Sequence, residues 1–308
     1  MEIITSKRAA CALPILKPDA NKYTRGVCEL VVGSERFAGA AVLAAKAANR
    51  MGAGYVKVYA CDRVAAALHA VQPSSVVLPA DAFAACPHEQ DERHPRAVVV
   101  GCGMEADTAG KRLTIEALAA VKAPVLVDGG GLAALSCDEG VSVLERRFSE
   151  GLATVITPHA GEAARLVRFL NECGVPGFDA LRVDSAHAAL ALARAYHAIC
   201  VLKGPNTFIA TGCERTSDDV AVMAEGTPVL AKAGTGDILA GAIGALLAQG
   251  CDPLGACIAA TFVHARSGIL AAADTAQLCV TAEDVIDRLA PAVASLEREA
   301  LEEEGNPL

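Results

Sequence analysis

The sequence predicts an α/β protein with an open, mostly parallel sheet covered by helices on both faces. Three observations predict it. Short β-branched runs alternate with Ala-rich helical stretches, the pattern of a parallel sheet with crossover helices. The alternation stops after residue 236 and three helical segments follow, whereas a closed eight-fold barrel would continue it to the end. Hydrophobic residues make up 53% of the chain but aromatics only 4%, with no Trp, so the core is built from Ala, Val, Leu and Ile. No internal repeat or low-complexity linker divides the 308 residues. One domain over 1–308 is expected.

Taken in order, VCELVVG reads as a strand, AGAAVLAAKAANRMG as a helix and GYVKVYA as the next strand. Further strands are expected at AVVVG, PVLVD, TVITP and ICVLKG. NTFIATG and DDVAVMA follow as adjacent strands, read as antiparallel. The final LEREALEEEGNPL is an acidic helix end or tail with a solvated surface.

A net charge of −9 argues against nucleic acid or an anionic membrane as partner, since either favours a basic face. Small anions remain open to local backbone sites. The 12 cysteines are scattered, and no pair has CxxC spacing, which fits unpaired residues in a reducing cytoplasm. The first 20 residues lack a signal-type apolar segment, and later apolar runs are broken by Gly or polar residues.

Four successive strand ends run into polar or glycine-rich sequence: VVVG-CGM, VLVD-GGG, VITP-HAGE and VLKG-PNT. The ligand crevice of an open α/β sheet lies beyond the carboxyl ends of its strands. Gly101, Gly103, Asp128, His159, Lys203 and Asn206 are therefore expected to line one crevice with the AGTGD turn. In that turn Gly234, Thr235 and Gly236 precede Asp237 at the mouth of an apolar helix. Glycines there let a ligand approach the backbone, and free amides at a helix start bind anions. Each residue also has a structural alternative. Gly101 and Gly103 suit tight turns, His159 and Glu162 have capping-box spacing, the Lys203 stem can lie along the sheet, Asp128 can begin a helical turn, and Asp237 can act as an N-cap. An acid beside an anion site is electrostatically awkward, however, and capping leaves that unexplained. Taking a proton from a hydroxyl that attacks a phosphoryl group, or holding a metal near it, gives the acid a use. The pattern GxxxxGK(S/T) is absent, and neither GAGYV nor GCGMEA completes GxGxxG, which disfavours a dinucleotide-binding oxidoreductase.

AGTGD before an Ala/Gly/Leu helix resembles the anion-hole motif of the ribokinase-like superfamily. The ordered set KYTRG, VVGSERFAGAAVLAAKAANRMGAGYVKV, VVVGCGM, VLVDGGGL, VITPHAGE, VLKGPNT and AGTGDILAGAIGALLAQG is similar to the ADP/ATP-dependent NAD(P)H-hydrate dehydratases within it, from about residue 22 to about residue 292. The resemblance implies a ribokinase-like fold and repair of hydrated nicotinamide cofactors. In that chemistry ADP or ATP, with Mg2+, phosphorylates the ring hydroxyl, and phosphate then leaves to restore NADH or NADPH. By matching motif, Ala40, Gly103 and His159 would contact the hydrated dinucleotide, together with Asp237. Lys203, Gly204, Pro205, Asn206, Thr207 and Gly236 would hold the nucleotide, the amides of Gly234, Thr235 and Gly236 would stabilise phosphoryl charge, and Asp237 would be the base. The metal ligands are not read from the motifs. A homotetramer is implied, as is a separate epimerase, since no epimerase domain is fused in front of the match.

Three departures stand out. Gly101, Cys102 and Gly103 replace the usual Gly-Pro-Gly, Asp128, Gly129 and Gly130 replace Asp-Ala-Asp, and Thr227, Pro228 and Val229 replace Asn-Pro-Gly. Two other functions fit part of the pattern. One is a kinase of the same superfamily acting on a hydroxyethylthiazole or hydroxymethylpyrimidine alcohol, and the other is a catalytically inactive nucleotide-binding protein.

Overall fold

The computed structural model describes residues 1–84, 93–178, 182–212 and 220–303. Asp218 and Asp219 of the DDVAVMA segment, Cys86, Cys213 and residues 304–308 of the acidic tail lie outside the described residues. The strands are β1 (Glu2–Ile3), β2 (Val27–Val31), β3 (Tyr55–Ala60), β4 (Val76–Pro79), β5 (Arg96–Val100), β6 (Val125–Val127), β7 (Thr154–Ile156), β8 (Ile199–Leu202), β9 (Thr207–Thr211) and β10 (Val220–Met223). They form one sheet in the order β1-β10-β9-β8-β7-β6-β5-β2-β3-β4. Its ladders are parallel except that β9 runs antiparallel to both neighbours, as the adjacent NTFIATG and DDVAVMA runs predict. The short edge strands β1 and β4 were not legible in the sequence, because so few residues carry little periodic signal.

Side chains alternate between the two faces as the pleat requires. Leu30, Val99, Leu126 and Val201 point into one core, while Val31, Val98, Val100 and Ile156 point into the other. The first core is covered by α1 (Ser6–Cys11), α2 (Ala38–Arg50), α3 (Asp62–Val71), α8 (Thr235–Ala248), α9 (Pro253–Asp274) and α10 (Ala282–Glu303). The second is covered by α4 (Thr108–Ala120), α5 (Asp138–Ser149), α6 (Ala160–Glu172) and α7 (Ala186–Ala195). Small residues set how closely these layers pack. A Cβ added to Gly241 of α8 would fall 2.3 Å from the Ala44 carbonyl oxygen of α2. Among the described residues, α9 alone is long and apolar enough to cross a membrane, and 72% of its apolar window is buried in this core.

Beneath β6 and β7, Arg147 of α5 is almost fully buried. Its guanidinium donates to Thr154 Oγ1 and to the carbonyls of Leu118, Val121, Ala123 and Ala153 at 2.6 to 3.1 Å. These acceptors precede or begin the two strands, so one side chain ties their amino ends together. Burial lowers its pKa to about 10.

Candidate active site

The four strands whose ends carry the sequence motifs are consecutive neighbours, β8-β7-β6-β5. Pairing continues one step past β7 and β8 through a His159–Lys203 bridge, in which the Lys203 amide donates to the Pro158 carbonyl at 2.8 Å. This extension points the Lys203 ammonium back over β6, where it donates to Asp128 Oδ1 at 2.7 Å. Thr157 donates to the same oxygen at 2.6 Å, while the Cys102 thiol faces Asp128 Oδ2 at 3.6 Å. Glu162 Oε2 lies 4.0 Å from Lys203 Nζ.

The AGTGD turn closes the site from the helix layer. Gly234 is the α8 N-cap with φ of +96°, a conformation open to glycine, and it caps without a side chain. Thr235, Gly236 and Asp237 are then the first three helical residues, so Asp237 is not the N-cap that one sequence alternative made it. Thr235 Oγ1 donates toward the Leu230 and Lys232 carbonyls, which fixes the turn. The amides of Gly236 and Asp237 have no acceptor among the described residues and can bind an anion. A Cβ on Gly236 would meet Lys203 Nζ at 3.4 Å, so the turn and the lysine adjoin. One Asp237 carboxylate oxygen lies within 4.8 Å of both Cys102 Sγ and an Asp128 oxygen.

Three carboxylates therefore crowd around one ammonium. Burial and then the charge of Asp128 raise the Asp237 pKa to about 7, against the pull of Lys203 and a hydrogen bond from Cys102. Burial works against the Lys203 charge, but Asp128 and Glu162 outweigh it and hold its pKa above the ordinary value. Burial also raises the Glu162 pKa. Asp237 is thus a carboxylate whose proton affinity matches neutral pH, as a general base requires.

Other predicted residues fall into two further places. Ala40 and Gly103 are packed together, since a Cβ on Gly103 would lie 2.5 Å from that of Ala40. They stand beyond β2 and β5, four and three strand spacings from β8, or roughly 15 to 20 Å. Gly204, Pro205 and Asn206 form the exposed turn between β8 and β9, followed by the half-buried Thr207. His159 makes the full capping box that its spacing predicts, with Nδ1 accepting from the Gly161 and Glu162 amides and Glu162 Oε2 accepting from the His159 amide at 2.8 Å. Asp128 begins a 3-10 turn over Gly129–Leu135 without capping it, so its carboxylate is left for Lys203. The missing second acid has a steric reason: a Cβ on Gly130 would lie 2.0 Å from the Met104 carbonyl oxygen.

Three residues were not singled out by the sequence as functional. Glu162 was legible only as a cap. Cys102 was legible only as a lost proline. His264 of α9 is 8% exposed, and its Nε2 has no partner among the described residues. Burial lowers its pKa to about 4, although it shares a hydrogen bond with the Thr235 backbone. A histidine inside an apolar helix gives no signal that it lies under the turn that starts α8.

The sequence profile of the NAD(P)H-hydrate dehydratase family matches residues 28–291. The chain belongs to this family. It is 32% identical over 296 residues to the bifunctional NAD(P)H-hydrate repair enzyme Nnr of Salinibacter ruber, covering 92% of this chain and 50% of that protein. The chain thus spans about half the length of the bifunctional relatives that it matches. It is also 32% identical over 261 residues to the ADP-dependent (S)-NAD(P)H-hydrate dehydratase of Xanthomonas campestris, covering 83% of this chain and 84% of that one. The fold matches the ADP/ATP-dependent NAD(P)H-hydrate dehydratase of Bacillus subtilis co-crystallised with ATP/Mg2+, with a TM-score of 0.78 and 26% identity over 96% of this chain and 98% of that one. The ribokinase-like architecture expected from the motifs is therefore the observed one.

Proposed function

We propose that this chain is an ADP- or ATP-dependent (S)-NAD(P)H-hydrate dehydratase, a hydro-lyase that repairs hydrated nicotinamide cofactors. The observation that carries this reading is the placement of Asp237, a buried carboxylate titrating near neutrality, between free helix-start amides and the Lys203 ammonium. Asp237 takes the proton of the ring hydroxyl as its oxygen attacks the terminal phosphorus of the nucleotide. The Gly236 and Asp237 amides and the Lys203 charge stabilise the phosphoryl oxygens, the Thr235 amide being taken up within the turn, and ADP or AMP departs. Phosphate then leaves the ring carbon, a neighbouring carbon gives up a proton, and NADH or NADPH is restored. Phosphorylation turns hydroxide, a poor leaving group, into a good one.

The two distinct places in the crevice suit two ligands. Ala40 and Gly103 are assigned to the dinucleotide together with His159, which stands beside Lys203 where the two places meet, and Lys203, Gly204, Pro205, Asn206, Thr207 and Gly236 are assigned to the phosphoryl donor. A polyphosphate beside Asp128, Glu162 and Asp237 brings negative charge to an acidic site, which calls for a divalent cation. The oxygen donors of Asp128 and Glu162 suit Mg2+, which when bound would neutralise phosphate charge. The free state of the ten described cysteines suits a cytoplasmic setting. A homotetramer, a single catalytic domain and an epimerase partner for the other hydrate epimer complete the proposal. The test is an assay on hydrated NADH and NADPH with ADP and then ATP, following recovery of reduced-nicotinamide absorbance and inorganic phosphate. Stoichiometric phosphate release is expected. A stable phosphoester with no recovered NADH would make the chain an alcohol kinase instead, and no turnover of either kind would leave a nucleotide-binding protein.

A further inference from the structure

The position at which this chain departs from Gly-Pro-Gly supplies a donor that the reaction above does not use. Cys102 is wholly buried at the edge of the first core, and its sulfur also reaches Asp128 Oδ2 at 3.6 Å. The Cys102 sulfur, an Asp128 carboxylate oxygen and an Asp237 carboxylate oxygen form a triangle, no side of which exceeds 4.8 Å. We propose that Cys102, Asp128 and Asp237 form a binding site for a thiophilic divalent cation of the Zn2+ or Cd2+ class, and that such an ion shuts the site by occupying Asp237.

Metal geometry supports the assignment. Zinc bonds of about 2.3 Å to sulfur and about 2.1 Å to oxygen, at tetrahedral angles, place sulfur and oxygen about 3.6 Å apart. Cys102 and Asp128 already stand at that spacing, so Asp237 is the ligand that has to close in, by about 1.5 Å at most. Asp237 is the partly exposed member of the three and gives the ion its way in from the crevice. Asp128 has its Oδ1 engaged by Lys203 and Thr157, which leaves Oδ2 to the thiol side. The surrounding charge also favours an added cation, since Lys203 is the ammonium that faces Asp128, Glu162 and Asp237 together. Binding breaks the thiol S–H bond, forms a sulfur–metal bond and releases one proton to solvent, with no change of oxidation state. A thiolate ligand selects Zn2+ or Cd2+ over Mg2+, which takes oxygen donors.

The test uses the full chain, reduced and metal-free, titrated with Cd2+ alone while the thiolate-to-cadmium charge-transfer absorbance is followed. The other cysteines give a background common to every variant. One bound equivalent is expected in the parent protein that is missing from both Cys102→Ser and Cys102→Ala. It should also be weakened in Asp237→Asn by more than the about 10-fold loss typical of outer-shell partners. Excess Mg2+ should leave that equivalent in place. Equal numbers of equivalents in the parent and in either folded Cys102 variant would overturn the proposal, as would an Asp237→Asn variant that binds Cd2+ unchanged. Thermal melts identify folded variants, and the near-isosteric Ser replacement guards against a poorly folded Ala one. Because the signal is metal binding in the absence of nucleotide, it stands or falls separately from the dehydratase assay.

Discussion

β6 and β7 carry a buried cation at each end, and the two are held in opposite ways. At the amino ends, Arg147 meets four backbone carbonyls and one hydroxyl, all neutral. At the carboxyl ends, Lys203 meets Asp128 and Glu162, with Asp237 close behind. Every donor direction of Arg147 is answered, so nothing is left over to react. Around Lys203 the acids outnumber the base, and the surplus appears as an Asp237 held near neutrality. Buried charge that is fully hydrogen-bonded supports the fold, whereas buried charge in excess is available for chemistry.

The comparison breaks most sharply at Asp237. Asp237→Asn keeps the shape and removes the base, so turnover should fall about 100-fold to 10,000-fold, measured as recovery of NADH from its hydrate. Its stability should respond to pH in a defined direction. The folded-state pKa of about 7 lies above the ordinary 3.8, so the fold holds a proton there that the unfolded chain has lost. The parent protein should lose this contribution as pH rises from 4 to 7, and the Asn variant should not. Denaturant midpoints across that range test the sign. For activity the direction reverses, since the base must be ionised: kcat/KM should rise with pH through about 7 and then level. A rate near the parental value in the folded Asn variant would remove Asp237 from catalysis.

At the other end, Arg147→Leu should leave kcat per folded molecule unchanged and lower stability by about 3 kcal/mol or more, because several buried carbonyls lose their donor at once. Urea unfolding together with activity per folded protein separates these effects. An active-site loss of the same size would mean that the two ends of the strands are coupled. Lys203→Ala should act on stability and on ligand together, since the buried Asp128 then loses its counter-charge and the phosphate loses its point contact. Nucleotide affinity should weaken about 10-fold or more, the worth of one charge-assisted hydrogen bond. Calorimetric titration showing unchanged ADP and ATP binding would take Lys203 out of the nucleotide site.

The same contrast explains what the sequence disclosed. Lys203, Asp128 and His159 were legible because polar residues at strand ends interrupt apolar runs, and parallel strands bring such ends to one side. The adjacency of β8, β7, β6 and β5 turned four separate interruptions into one site. Arg147 was not legible, because an arginine near the end of an amphipathic helix reads as solvated and its carbonyl partners leave no side-chain pattern. Cys102 and His264 were hidden for a related reason: small or neutral residues in apolar surroundings look like core. Glu162 was visible, but its spacing from His159 satisfied a local rule and gave no cause to look further, toward Lys203.

His159 carries the smallest expected effect, and it belongs to both sides of the comparison. Its Nδ1 closes a satisfied capping box, while its side chain remains 60% exposed at the crevice beside Lys203. His159→Ala removes both the cap and any contact with the dinucleotide, so it should cost about 1 kcal/mol of stability and raise the substrate KM together, with nucleotide affinity spared. His159→Asn separates the two, because Asn caps a helix well but lacks the reach and surface of the imidazole. The Asn variant should keep the parental melting temperature and still show the raised KM for hydrated NADH. If Asn restores KM along with stability, His159 is a cap alone, and the dinucleotide is held by the Ala40 and Gly103 side of the crevice.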